Sequence, residues 1–577
     1  MPLGRLVRKE EDFSEWYNAA IERADLTDKR YPIKGMNVWT GYGFAVMRRM
    51  DERMRSEMVR TGHQEVSFPT LIPETEFKKE SEHIKGFEEE VYWVTHAGKN
   101  LLDVRLCLRP TSEAAMYPIF ALWVRSHADL PLKTFQIVNT YRYDTKQTRA
   151  FMRVREIHFF EAHTCHVDAE DAERQVRQDL EVMGNLARAF CVPYLLNKRP
   201  DWDKFPGAHY SLACDAVMPT GKTLQVATIH HYRDNFAKAY DVKYETTLVE
   251  YAAEVIRAEG YAVTRDVSAG GGVVLDLLAL KGDERISIRV RDAAVDEEGL
   301  LEAAGVLAKA GEGTRILIGQ EFGEAARLKA PSAGLELVTL AELNAKAVAL
   351  GLNPFARHTY VHQTTYGMSE RLLGAIVALH GDDKGFTLPP EIAPIQVVVV
   401  PILAKGDQER IGREARALAD SLGAEFRIHV DSRDVRPGAK FYEWEAKGVP
   451  LRVELGPRDL EQGVVTAVRR DTGEKAAVPR ATAAAGLRTL LDTIQENLYT
   501  RAEAAQDAAV KPLTSLEDEG EGVRSFPWCG EEPCTRRVEE ATELKILGTP
   551  FDAGQVSGNC LVCKKPAKSE ARAARTY

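Results

Sequence analysis

Between Thr134 and Thr164 the chain reads TFQIVNTYRYDTKQTRAFMRVREIHFFEAHT, two runs rich in aromatic and β-branched residues around the polar loop Thr145–Ala150. Such runs predict a pair of strands. A period of two along the second puts Arg153, Arg155, Ile157, Phe159, Glu161 and His163 on one face, and on the first Arg142 shares a face with Asp144. A face of this composition is not core. It suits either a polyphosphate, whose oxygens the arginine fork grips in pairs, or an exposed salt-bridged sheet. Upstream, Phe44, Met47, Met50, Met54 and Met58 recur at three- and four-residue steps, predicting a helix with Gly62 at its C-cap. QEVSFPTLIP then reads as a strand ending near Pro69. The methionine stripe reads as core or subunit contact. Ala114–His127 and Asp168–Phe190 carry helical patterns, and residues 193–245 break into short strands, among them the alternating TLQVATIHHY.

From about Thr246 to Ala356 the pattern becomes α-β-β-β-α-β: helix Leu248–Glu259, strands YAVTRDV, VVLDLLAL and RISIRVR, helix Glu297–Ala310 and strand TRILIGQ. That is enough for a small inserted α/β domain, after which HQTTYGMSERLLGAIVALHGDDKG resumes the interrupted one. From Pro389, IQVVVVPIL, FRIHVD, VPLRVELG and VVTAVRRD alternate with helical segments, as a buried sheet with covering helices would. The expected division is a discontinuous domain at 1–245 and 357–388, the insert at 246–356, an α/β domain at 389–500 and a C-terminal domain at 501–577. The whole is an α+β multidomain chain.

At 577 residues the chain is too long for one core. Its 44% hydrophobic and 28% charged residues are those of an ordinary globular protein. The most apolar segment, Ile395–Leu403, is strand-sized, and MPLGRLVRKEEDF holds no apolar signal core, so a cytoplasmic protein without membrane association is expected. A net charge of −10 argues against wholesale coating of a polyanion while allowing local basic patches. Cys107, Cys165, Cys191 and Cys214 are scattered, as buried small hydrophobes are. Cys529, Cys534, Cys560 and Cys563 instead form C-x4-C and C-x2-C pairs, a spacing suited to structural Zn2+ held by four thiolates with no open position for catalysis. A disulfide pair is the alternative, and a reducing cytoplasm disfavours it.

Together these segments resemble class II aminoacyl-tRNA synthetases, and among them the prolyl-tRNA synthetases of archaeal and eukaryote-like type. RYPIKG with the helix and strand after it resembles motif 1, RPTSE (109–113) the proline-recognition loop, the hairpin motif 2, and TTYGMSERLLGAIVALHGDDKG motif 3. DSRDVRPGAKFYEWEAKGVPLRVELGPRD (431–459) resembles the anticodon-binding domain, and the cysteines with the terminal Tyr577 resemble the zinc-associated appendage. The resemblance implies a class II antiparallel-sheet catalytic domain, an α/β anticodon-binding domain and a zinc-type α+β C-terminal domain. It further implies a homodimer that joins L-proline to tRNA(Pro) using ATP and Mg2+; a non-catalytic synthetase-like paralogue is the rival.

By the same resemblance Arg142 bridges the proline carboxylate and the α-phosphate, Arg153 holds the distal phosphates, and Arg371 covers the adenine. Asp144, Gln225 and Ser369 would also contact the nucleotide. Thr111 and Glu113 would accept from the proline ammonium, Phe159 would form the wall, and His163, Thr228 and His230 would close the pocket. Glu445, Arg458 and Asp459 fall where the family reads guanines, the alternative for each being a solvated surface charge. His158, His166 and His231 receive no role. Three departures stand out: Asp144 replaces the usual glutamate, Phe159 a frequent tryptophan, and Arg233–Asp234 a common Gly-Gln. Arginine is strained at such a glycine position if φ is positive. Within the insert, SAGGGVVLDLLALKGDERISIRVRD resembles a restriction-endonuclease-like core. Asp276 matches a metal ligand, whereas Arg289 and Arg291 stand where the next ligand and a lysine belong, implying a degenerate domain used for tRNA contact or packing.

Overall fold

The aromatic and β-branched runs form two neighbouring strands near one edge of the largest sheet among the described residues. Leu132–Tyr141 and Glu156–His166 pair antiparallel with Gln136 opposite Glu161 and Val138 opposite Phe159. His362–Ser369, Thr223–Arg233, Tyr210–Val217 and Leu195–Lys198 extend the antiparallel sheet on one side, and Gln64–Glu65 adds a parallel strand on the other. The period of two then separates two surfaces. Phe135, Phe160, Ala162, Leu212, Ile229, Tyr366 and Met368 join the core, while Gln136, Phe159, Glu161, His163, Ser211, Thr228 and His230 stand on the opposite face. This computed structural model describes residues 7–79, 90–143, 148–270, 273–403, 407–518, 520–551, 554 and 556–577.

Several helices cover the apolar face, among them Arg371–Leu379 and the two long ones that follow. Gly41–Arg60 is capped by Thr40, whose Oγ1 accepts from the Gly43 N–H at 3.1 Å, and it buries Met47, Met50, Met54 and Met58. Phe44 lies off this stripe and is 45% exposed, because Gly43 takes the inward place against the Leu26 carbonyl, where a Cβ would sit 1.9 Å from the oxygen. Ala169–Phe190, capped by Asp168, buries Val176, Val182, Met183, Leu186 and Phe190. The single strand expected over QEVSFPTLIP is split into Gln64–Glu65 and Leu71–Pro73. Between them Gln136 Oε1 accepts from the Phe68 N–H, and the Arg109 guanidinium donates to the Phe68 carbonyl, so side chains replace the ladder around Pro69.

The C-terminal segment continues the same sheet. Lys545–Pro550 pairs with Leu195–Lys198, and Ser569–Ala574, Val523–Trp528 and Val510–Pro512 follow, giving eleven strands among the described residues. Ahead of it, Ile428–Val430, Val397–Pro401 and Leu451–Leu455 run parallel and Val464–Arg469 and Lys475–Pro479 antiparallel. The Val397–Pro401 strand is buried on both faces, as its unbroken apolar run requires. Gln408–Leu422 and Ala483–Ala509 cover one side and Pro437–Ala446 the other.

Residues 120–130 and 241–361 form a separate compact unit. Its sheet runs Ala262–Gly270, Val273–Lys281 and Glu284–Val295 antiparallel, then Thr314–Phe322 and Glu336–Thr339 parallel. Leu248–Ala258 and Leu340–Ala349 pack on one face, Glu297–Leu307 and Glu324–Lys329 on the other. The chain enters and leaves through Lys243–Glu245 paired antiparallel with His358–Tyr360. Among the described residues no helix is long and apolar enough to cross a membrane.

Candidate active site

The polar face of the large sheet floors a cleft of about 450 Å³. Arg142, Arg153 and Arg371 line it, as do Gln225 and Ser369 and all six of Thr111, Glu113, Phe159, His163, Thr228 and His230. Asp144 lies outside the described residues. A bulge skips Val226 in the pairing with Tyr210–Val217, so that Gln225 and Thr228, three positions apart, both reach the cleft. Arg155, which the period of two placed among the phosphate-facing arginines, turns aside; its guanidinium lies 4.2 Å from the centroid of the Tyr143 ring.

The guanidinium groups of Arg142 and Arg371 are held by backbone carbonyls. Arg142 Nε donates to the Pro110 carbonyl at 3.1 Å, which ties it to the RPTSE loop, and its guanidinium carbon lies 5.9 Å from the Phe159 ring centre. Burial lowers its pKa, against the opposing charges of Glu90, Glu113 and Glu161. Arg371 Nε donates to the Met152 carbonyl at 2.9 Å and its Nη1 to the Gln225 carbonyl at 3.3 Å. Arg153 closes a tight turn with Arg149, each N–H donating to the other's carbonyl at 2.8 Å, and Phe151 within it adopts φ +61°. A bulky residue in that region is strained, which the ring offsets by packing 5.0 Å from Trp39.

Glu161, 2% exposed, organises the pocket floor. Gln136 Nε2 donates to its Oε1 at 2.8 Å, Ser112 Oγ donates to the same oxygen, and the Ser112 N–H donates to Oε2 at 3.2 Å. His163 Nε2 lies 3.2 Å from Oε2, and Tyr117 Oη lies 3.1 Å from Nδ1. Burial alone would raise the Glu161 carboxyl, but the His163 bond and charge, with Ser112 and Gln136, outweigh it and hold it at about 2. Burial would likewise lower His163, and the Glu161 bond with the charges of Glu113 and Glu161 raises it instead. The two form an ion pair.

Beside it, Thr111 Oγ1 donates to Glu113 Oε2 at 2.6 Å and Tyr232 Oη donates to Oε1 at 3.0 Å. Thr111, having given its proton to Glu113, keeps lone pairs for an incoming cation. His230 Nδ1 lies 2.7 Å from Ser211 Oγ, and its ring packs on Phe205 at 4.6 Å. Gly367 leaves the floor open: a Cβ there would come 3.1 Å from Phe159 Cζ and 3.6 Å from Thr228 Oγ1. Phe205, Ser211, Gln136 and Tyr232 carry no sequence signal of their own, whereas a glycine inside the strand pattern TTYGMSE is one.

Three family models match the chain: the tRNA synthetase class II core domain (G, H, P, S and T) over 92–270, the anticodon binding domain over 396–490, and the prolyl-tRNA synthetase C-terminal domain over 514–577. A proline–tRNA ligase from Thermococcus kodakarensis is 46% identical over 579 residues, covering 98% of both chains. One from Pyrococcus horikoshii is 45% identical over 582 residues, covering 99% of both. The chain belongs to the proline–tRNA ligase family. Among solved structures, the Giardia lamblia prolyl-tRNA synthetase in complex with prolyl-adenylate matches over all of both chains, with 30% identity and a TM-score of 0.77.

The three candidate anticodon residues have different surroundings. Glu445 lines a cavity of about 250 Å³ and pairs with Arg452 at 2.9 Å. Asp459 caps Pro457–Gln462, its Oδ2 accepting from the Gly456 N–H and its Oδ1 from Thr466 Oγ1, each at 2.8 Å, while Arg458 is exposed. The four C-terminal cysteines do converge: their sulfurs lie within 4.8 Å of one another. Cys529 is 3.6 Å from both Cys534 and Cys563, too far for a disulfide bond of about 2.05 Å. Thiolates around a metal with bonds of about 2.3 Å would stand about 3.8 Å apart, so the set could hold a metal ion. Arg233, where the family commonly has glycine, adopts φ +50° beside a register shift in its strand.

Proposed function

We propose that this chain is an ATP-dependent proline–tRNA ligase that forms prolyl-adenylate and passes proline to the 3′ end of tRNA(Pro). The observation that carries the reading is the Thr111–Glu113 acceptor pair beside the Phe159 wall, one loop away from Arg142, whose Nε is tied to that same loop. Proline's ammonium would meet Thr111 and Glu113, and its ring would lie against Phe159. Its carboxylate would reach Arg142 for in-line attack on the α-phosphate, releasing pyrophosphate. Arg153 and Arg371 would hold the nucleotide, with Gln225 and Ser369 in support. Chemistry of this kind asks for positioning and charge neutralisation rather than covalent help. The carboxylate nucleophile is already ionised, so Glu161, bound to His163, Ser112 and Gln136, has no proton to take. Mg2+ enters as the counterion of the ATP substrate, whose triphosphate three arginines leave incompletely neutralised.

The finer reading follows the family: a cytoplasmic homodimer, the domain division given above, and structural Zn2+ on Cys529, Cys534, Cys560 and Cys563. The sulfur spacing supports the last point, and four thiolates leave zinc no open position. For the anticodon, Glu445 is the stronger of the three candidates, since it lines a cavity of about 250 Å³. Proline-dependent ATP–pyrophosphate exchange tests the reading. The wild-type chain is expected to exchange, and Arg142→Ala to lose exchange while keeping its circular dichroism spectrum. Folded wild-type protein without exchange would favour the non-catalytic paralogue.

A further inference from the structure

Ser211, 2% exposed, sits between two elements. The Phe205 N–H donates to its Oγ at 2.9 Å, and Nδ1 of His230, its cross-strand pair, lies 2.7 Å away. A hydroxyl has one proton and two lone pairs. Phe205 occupies one lone pair. If the ring donated from Nδ1 it would occupy the other, and the Ser211 proton would be buried with no acceptor among the described residues. A buried donor is rarely left so. The bond therefore runs from Ser211 to Nδ1, and a neutral ring that accepts at Nδ1 carries its proton on Nε2.

We propose that Ser211 is a positioning residue that holds His230 as the neutral Nε2–H tautomer, so that this wall of the cleft adds no second positive charge where proline's ammonium binds. The inference rests on the ligase reading. His230 and His163 stand in one row across the sheet, His230 opposite Thr365 and Thr365 opposite His163. One imidazole is charged and compensated by Glu161; the other is neutral and bound to a hydroxyl. An imidazolium at 230 would need a proton on Nδ1 and would displace the Ser211 proton from its acceptor. The titratable and charged groups sharing the cleft with His230 are Glu113, joined through Tyr232 on its own strand, the His163–Glu161 pair, Asp203 and Lys204 on the loop that carries Phe205, Arg199 ahead of that loop, and, along the rest of the cleft, Glu90, Arg142, Arg153, Glu370 and Arg371.

The test is the pH dependence of KM for proline in pyrophosphate exchange, measured on the full chain. Between pH 8 and pH 6 the ratio of the Ser211→Ala KM to the wild-type KM should climb severalfold, as the imidazole released from Ser211 takes up a second proton. Ser211→Thr, which keeps the hydroxyl, should restore the wild-type profile. A Ser211→Ala profile parallel to wild type overturns the proposal. Imidazole 15N spectra of the wild-type chain, with His230→Gln identifying the resonance, decide the case even if the alanine variant does not fold. An unprotonated Nδ1 supports the assignment and a protonated Nδ1 overturns it. Wild-type protein lacking exchange would instead sink the ligase reading and leave the tautomer to the spectra.

Discussion

Arg233 holds a backbone conformation that its side chain does not favour. At φ +50° the Cβ crowds the following carbonyl, a cost of about 1–2 kcal/mol that glycine escapes, while glycine gives back part of it through a freer unfolded chain. Arg233→Gly should therefore stabilise the protein by up to about 1 kcal/mol, read as a higher melting temperature; an unchanged or lower one would mean the arginine makes a compensating contact. The conditional form of this statement was available from the sequence, because the family pattern marked the position; the sign of φ was not. The same split runs through the site. Arg142, Glu113 and Arg371 stand out because their residue types and spacings carry chemistry. Ser211 and Phe205 are common types, and what they do depends on Ser211 facing His230 across a sheet, which no local pattern encodes.

At the scale of elements, helix Ala169–Phe190 was legible from its apolar stripe, but its buried carboxyl was not. Asp179 is 1% exposed; Gln175 Nε2 donates to its Oδ1 at 2.8 Å, and its Oδ2 has no partner among the described residues. Burial raises it to about 7, against the Gln175 bond and the Lys133 charge. The unfolded chain releases this proton near 3.9, so between about pH 4 and pH 7 the folded state binds the extra proton. Stability must fall as pH rises through that window and level off above it. Asp179→Asn removes the slope. Between pH 5 and pH 8 wild type should lose of order 3 kcal/mol more than the variant in denaturant unfolding, and equal losses would refute the assignment.

The joined sheet is a second element-level feature that the sequence did not reveal, since Thr549 and Pro550 pair with Lys198 and Asn197 some 350 residues away. Pairing at that separation leaves no periodic trace in either segment. It has a consequence for the cysteine cluster, which shares a core with Phe526, Val538 and Ile546. Cys560→Ser, which removes one of the four clustered sulfurs, should speed amide hydrogen exchange in Lys545–Pro550 and carry over to Leu195–Lys198. Unchanged exchange in Leu195–Lys198 would show that the two halves of the sheet open independently.

For the molecule as a whole, the insert is where composition and site chemistry part. Residues 246–356 hold seventeen Asp and Glu against eleven Lys and Arg, six of the chain's ten net negative charges. A domain so charged is repelled by phosphate backbones, which favours packing over tRNA contact as its use. Asp276, the residue that matches a metal ligand by resemblance, is engaged on both oxygens: Arg289 Nη1 donates to Oδ1 at 2.9 Å and the Val290 N–H to Oδ2 at 2.7 Å. Among the described residues, those lining the cleft lie outside 246–356. The strands flanking the insert pair with Glu245 opposite His358, so a short hairpin turn can close the gap. A chain with 246–356 replaced by such a turn should keep proline-dependent exchange at the full-length rate, and full-length protein with Mg2+ or Mn2+ should not cleave RNA or DNA. Loss of exchange in a folded deletion would make the insert part of the catalytic apparatus.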